Sequence, residues 1–412
     1  MRQVLYGVIV TALLSVSAVV SAQSSDPATL VELGDLYVEA MRLDEAKAAY
    51  NQALKLEKKY GPAEVGKAKV DMAREKFEPV KQQCRGIKRR HKATSLGEAC
   101  EGWFWLAYDR SARAVDEFNL VVEKGDVAVG QTGLGEALRR RAEYDRAIES
   151  FRAAIAAGAG YMAHLGLGLT LEAKGDTAGG LGELARAVKI EPASCLAHFH
   201  YGRAIGRGPL AVSHLTTALS IRPGWAEAYQ ELGEVYLANG DFAAAEISFK
   251  GSIGAEEKGT AYLGLGKALH AQGKTDDAKE QLNKAIELVP NLVDAYLLLA
   301  DIEFDAESPD ASLKALENAR AVAPGVVNVY LHTGQTYHRL GRYTKAKSFL
   351  AQAVSMDRNL SIAHSILGDI SCERRLYDAG RKHYDDALAG DMKGLDAAEI
   401  QKLKAACVSP HP

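Results

Sequence analysis

The feature that most constrains this chain is a small residue that returns at a nearly fixed interval. Gly34, Ala68, Gly102, Gly135, Gly168, Gly202, Gly233, Gly266, Ala300, Gly334 and Gly368 follow one another at spacings of 34, 34, 33, 33, 34, 31, 33, 34, 34 and 34 residues. Twelve residues after most of these markers stands a second small residue, with a bulky apolar one four later and a small one three beyond. Ala46-Tyr50-Ala53, Ala147-Phe151-Ala154, Ala245-Phe249-Ser252, Ala278-Leu282-Ala285 and Ala346-Leu350-Ala353 show the pattern. A period of this length, held in phase across residues 27–394, means stacked supersecondary units, each unable to bury its apolar face alone.

Offsets of three and four residues put side chains on one face of an α-helix. Tyr229, Leu232, Gly233 and Tyr236 make one such face, Asn239-Gly240-Asp241 interrupts it, and Phe242 to Ser252 supplies a second. Each unit therefore reads as a helical hairpin, and the small residues let its two helices approach closely. This accounts for 38 Gly in a chain otherwise suited to helix, with only 11 Pro in 412 residues.

The repeat resembles the tetratricopeptide repeat (TPR) family. Its leucine-glycine pair stands at Leu33-Gly34, Leu134-Gly135, Leu167-Gly168, Leu232-Gly233, Leu265-Gly266 and Leu367-Gly368. Its following aromatic stands at Tyr37, Tyr236 and Tyr337, and its closing proline at Pro192, Pro223, Pro290 and Pro324. The resemblance implies an all-α, right-handed α-α superhelical solenoid of about eleven hairpins over residues 27–394. Residues 395–412 follow as a covering helix and tail. Two units depart from the pattern: 61–94, with Lys67-Ala68 and Cys84 at signature positions, and 195–225, shortened around Gly206-Arg207-Gly208-Pro209.

In such solenoids the first helices line a concave surface on which partner segments dock. Residues next to the marker and about one turn either side of it are the groove candidates. They are Trp103, Glu136, Arg139, Leu165, Leu169, Phe199, Arg203, Gln230, Glu234, Leu263, Lys267, Leu297, Asp301, Gln335 and His338. Trp103 and Phe199 read equally as inter-repeat core. Family members that grip C-terminal carboxylates carry an Asn next to the marker; here Asp, Trp, Glu, Leu, Arg, Lys and Gln occupy that position and Asn never does, which argues against that activity.

Residues 1–22 have the form of a secretory signal peptide: Arg2, an apolar run from Val4 to Val20, and Val20-Ser21-Ala22 before Gln23. Residues 23–26 form a short linker. The reading is an exported, periplasmic protein, with an N-terminal anchor in the inner membrane as the alternative. Five Cys in an exported chain invite pairing. The family register places Cys84 and Cys100 on touching helices, and Cys372 and Cys407 at equivalent positions near the end, leaving Cys195 free.

Lys81, Arg85, Lys88, Arg89, Arg90, His91 and Lys92 form the one dense basic stretch. It reads either as a solvated helix face or as a contact for an anionic surface such as lipid headgroups. The net charge of −3 gives no reason to expect nucleic acid. Other motifs carry little. Ala268 with Gly273-Lys274-Thr275 imitates a phosphate loop but follows a helix rather than a strand. His198, His200 and His214 have poor spacing for shared metal ligation. Asn359-Leu360-Ser361 is a glycosylation acceptor only in a eukaryotic secretory route. No catalytic residues, cofactor or metal are expected. The sequence therefore points to a protein-binding scaffold or adaptor of a bacterial envelope, within an assembly, export or secretion complex. A subunit of an envelope enzyme complex and a self-assembling structural protein are the alternatives.

Overall fold

A computed structural model describes residues 26–408; the expected signal segment, residues 1–22, lies outside them. The described residues form 23 α-helices and no strand. In chain order these are α1 (Pro27–Glu39), α2 (Leu43–Leu56), α3 (Gly61–Ala73), α4 (Phe77–Arg90), α5 (Leu96–Ala107), α6 (Ser111–Glu123), α7 (Val127–Arg140), α8 (Tyr144–Ala156), α9 (Tyr161–Ala173), α10 (Thr177–Ile190), α11 (Cys195–Ile205), α12 (Gly208–Ile221) and α13 (Ala226–Asn239). A second compact unit begins at Phe242. It holds α14 (Phe242–Ala255), α15 (Gly259–Ala271), α16 (Thr275–Leu288), α17 (Val293–Asp305), α18 (Pro309–Val322), α19 (Val327–Arg339), α20 (Tyr343–Met356), α21 (Ser361–Glu373), α22 (Tyr377–Ala389) and α23 (Ala397–Ala406).

The marker residues explain the hairpins. A Cβ added to Gly34 would sit 2.5 Å from the Tyr50 ring, and one on Gly102 2.7 Å from the Phe118 ring. Gly135 meets Phe151 in the same way, Gly266 meets Leu282, and Gly334 meets Leu350. The bulky residue of the second helix thus fills the hollow that the marker leaves on the first. In several units the next first helix closes over the same ring with another glycine: Gly66 on Tyr50, Gly133 on Phe118, Gly166 on Phe151 and Gly264 on Phe249. These four rings are among the largest fully buried side chains.

The hairpin turns repeat as faithfully. One left-handed residue stands in every turn, at Met41, Glu75, Asp109, Ala142, Gly175, Gly206, Gly240, Gly273, Glu307, Gly341 and Arg375. Glycine occupies this conformation without strain and other residues at a cost. The closing prolines Pro192, Pro223, Pro290 and Pro324 each fall two residues past a second helix, where no backbone N–H is needed.

Within each unit the first helices also pack on one another, α1 through α3, α5, α7 and α9 to α11 in the first, and α15 through α17, α19 and α21 to α23 in the second. In each unit they form one layer and the second helices another. The chain is an all-α solenoid. In the atypical unit, Cys84 takes the ring position and Cys100 the glycine position facing it. The two are disulfide-bonded with Cα atoms 5.3 Å apart. A covalent link there stands where its neighbours have a ring wedged against glycine. Cys372 and Cys407 are bonded likewise, tying α21 to the end of α23. Cys195 is a free, buried thiol.

Candidate functional site

The groove candidates divide between the two units. In the first, Arg203 and Glu234 are exposed, and Leu169 and Gln230 are half-buried. Arg203 reaches Glu172 at 3.6 Å and lies over the Phe199 ring. Glu136 receives Arg139 at 2.9 Å and Arg140 at 2.8 Å. Burial works to raise the Glu136 carboxyl, and the two guanidiniums outweigh it, holding it below the ordinary range. His200 lies close to the same charges; burial, then Arg203 and Arg139, push it down to about 4. In the second unit Lys267, Asp301, Gln335 and His338 are half-buried. Asp301 meets His332 at 3.4 Å, and His338 packs beside Tyr343.

Four of the groove candidates lie in the core instead. Leu165 and Phe199 are buried, in clusters with Leu184 and Ala197 and with Trp225 and Leu215 respectively. Leu263 and Leu297 are buried too. All four stand three residues before a marker. Residues at i and i+3 share a helix face, so they point with the marker into the packing between helices. Trp103 is half-buried against the Phe118 ring, with centroids 5.1 Å apart, and belongs partly to the core.

Glu39, at the end of α1, is a residue that sequence reasoning missed. Its carboxylate accepts hydrogen bonds from Tyr161 Oη at 2.7 Å, Ser194 Oγ at 2.7 Å and the Leu196 backbone N–H at 2.8 Å. The Cys195 thiol donates to the Glu39 carbonyl, and Ala40 is buried in one cluster with Cys195, Phe199 and Trp225. The first hairpin of this unit is thus fastened to the fifth and sixth. Burial, followed by the Glu39 carboxylate, raises both the Tyr161 phenol and the Cys195 thiol. No periodic signal marks Glu39, because the contact joins residues more than 120 positions apart.

The basic stretch divides by partner. Lys88 is ringed by Glu101 at 2.9 Å, Glu117 at 3.4 Å and Glu98 at 3.6 Å. Arg90 and His91 share Glu64, and Lys81 lies over the Trp105 ring. Arg85, Arg89 and Lys92 have no acidic partner among the described residues. With Gln82, Lys88, Glu98 and Lys124 they line a cavity of about 670 Å³. Lys124 holds the buried Glu98 at 2.9 Å.

Profiles described as tetratricopeptide repeat match residues 27–60, 132–194, 226–258 and 297–361, and one described as TPR repeat matches residues 266–306. The chain belongs to the tetratricopeptide repeat family. No curated protein matches the sequence. Among solved structures, yeast Tom70 superposes over 92% of this chain and 95% of its own, with 14% identity and a TM-score of 0.51. A tetratricopeptide repeat protein from Parabacteroides merdae covers 60% of this chain and 99% of its own, with 16% identity and a TM-score of 0.49. The likeness to Tom70 shows the solenoid fold. As a TPR protein the chain is a protein–protein interaction scaffold, and the nucleotide-loop imitation at Gly273-Lys274 is a hairpin turn after α15.

Proposed function

We propose that this TPR protein is an envelope adaptor that holds segments of other proteins against its first-helix layer, within an assembly, export or secretion complex. The observation that carries the reading is the layer itself. It repeats one side-chain position per hairpin and varies the chemistry there, from Leu169 and Arg203 to Glu234, Lys267, Asp301 and Gln335. Within each unit, a ladder of unlike side chains on packed helices reads a specific partner rather than a generic one. The disulfides fit an oxidising compartment. They support export, and the leader-like residues 1–22 support it independently.

The test is affinity capture from native envelope, comparing the wild type with the double variant Arg203→Ala, Lys267→Ala. The proposal expects at least one partner to be lost from the variant while the fold, followed by circular dichroism, is kept. Recovery of every partner by the variant, or location of the chain in the cytosol, would overturn it.

The basic cavity favours a second element of this reading, peripheral contact with an anionic membrane surface. Arg85, Arg89 and Lys92 are the unpaired cations available for it. Flotation with vesicles containing phosphatidylglycerol should retain the wild type and release Arg85→Ala, Arg89→Ala. Equal flotation of the two would remove this element.

A further inference from the structure

One interhelical position recurs in three hairpins and is filled by a histidine each time. His164 on α9 faces Glu183 on α10, and its Nδ1 meets the carboxylate at 2.7 Å. His198 on α11 faces His214 on α12, with the two Nδ1 atoms 2.8 Å apart. His364 on α21 faces His383 on α22, with ring centroids 5.9 Å apart. In the first two hairpins the Nδ1 of the first-helix histidine has a partner. In the third, the Nδ1 atoms of His364 and His383 are both buried and neither has a hydrogen-bond partner. A buried polar atom left unpaired is costly, so two on one pair of facing rings need an explanation.

The third hairpin also differs in what stands one turn beyond the second histidine. Asp386 lies there, where the hairpin of His198 and His214 has Thr217, whose hydroxyl is turned back to the Ser213 carbonyl. His383 and Asp386, at i and i+3, project from the same face of α22. The Asp386 carboxylate lies 3.9 Å from His364 Nδ1. One ligand atom from each of the three side chains falls within 4.8 Å of the others.

The tautomer of His364 is set as a metal ligand requires. Its Nε2 lies 3.2 Å from the Arg358 carbonyl. That oxygen only accepts, so Nε2 carries the proton and Nδ1 is left with its lone pair facing His383 and Asp386. A backbone carbonyl on the far nitrogen is the usual outer support of a metal-bound imidazole. Two imidazoles and one carboxylate suit a borderline divalent ion such as zinc, and the half-exposed Asp386, with 43% of its side chain accessible, leaves a coordination position open to solvent. Lys347 and Lys382 lie near enough for their charge to bear on His383, and the imidazole and carboxylate donors have to outweigh that repulsion for a cation to bind.

We propose that His364, His383 and Asp386 form a divalent transition-metal site that clips α21 to α22. It lies in the same terminal hairpin that the Cys372–Cys407 disulfide ties to α23. The bound ion takes up the lone pair of His364 Nδ1 and adds a second cross-link to this hairpin.

The experiment is titration of the metal-depleted full chain with zinc by calorimetry, followed by cobalt substitution read in the visible spectrum. Expected are one zinc per chain, cobalt bands of a low-coordinate nitrogen and oxygen site, and a higher melting temperature with zinc. Asp386→Asn and His383→Gln should each weaken binding at least about tenfold, and Asp386→Asn, being isosteric and near the surface, should keep the fold. His198→Gln should bind as the wild type does. Absence of saturable binding by the wild type, or equal binding by wild type, Asp386→Asn and His383→Gln, would overturn the proposal.

Discussion

The two units are built from the same hairpin and secure their ends by different means. The first fastens its opening hairpin to its own fifth and sixth hairpins through the Glu39 carboxylate, which bonds Tyr161, Ser194 and Leu196. The second closes its last hairpin with α23, through the buried Ile400, the Cys372–Cys407 bond and a hydrogen bond from Arg381 to the Cys407 carbonyl. A stack of hairpins leaves apolar surface at each end, and every such end has to be covered by something outside the repeat. The comparison separates what periodicity encodes from what it cannot. The wedge of ring and glycine is shared by both units, and the devices that finish each unit are particular to it.

The sharpest way to break the shared part is to overpack a wedge. Gly66→Val drives a branched side chain into the Tyr50 ring, which is already pressed from the other side by Gly34. The expected loss is about 3 kcal/mol or more, at the upper end for overpacking, read as a lower denaturant midpoint for the first unit with the second unchanged. Removing the first unit's fastening comes next. Glu39→Ala leaves the Leu196 backbone N–H and two hydroxyls without their acceptor, and the account predicts a loss of about 2 kcal/mol. Hydrogen exchange should show the start of α11 opening while α23 keeps its protection.

Acid sharpens the comparison further, because His200 lies in the first unit. Its folded pKa is about 4 against 6.5 when free. Between those values the unfolded chain binds a proton that the folded chain refuses, so stability is full above pH 6.5 and is lost as pH falls toward 4. The His200 contribution is on the order of 2 kcal/mol. Melting temperatures at pH 7.5 and 5 should therefore differ less in His200→Gln than in the wild type. The smallest effect belongs to the turns. Gly341 sits at φ 67°, and Gly341→Ala should cost about 1 kcal/mol, seen as a slightly lower midpoint for the second unit.

Much of the fold was legible because its determinants recur. Gly34, Gly102 and Gly135 each announce a close helix approach, and the residues sixteen positions on, Tyr50, Phe118 and Phe151, fill it. The surface was legible only in part. Leu165 and Phe199 stand about a turn from a marker, the spacing expected of groove residues, yet a three-residue step turns a side chain with the marker into the core. Glu39 carried no signal, since its partners belong to hairpins four and five units away and curvature alone brings them together. His364 and His383 escaped notice for a related reason. They lie on different helices, 19 residues apart, and only the packing of α21 on α22 makes them neighbours. The basic stretch was visible as a run, but its division into paired Lys88 and unpaired Arg85, Arg89 and Lys92 depends on glutamates of α5 and α6.

The central claim, that partners are held on the first-helix layer, is tested most directly by site-specific photo-crosslinking in the native envelope. A photoreactive residue placed at Leu169, Lys267 or Gln335 should yield discrete partner adducts. The same residue at Ile247, on a second helix and 72% exposed, should yield none. Adducts at Ile247 with none at the three first-helix positions would contradict the account.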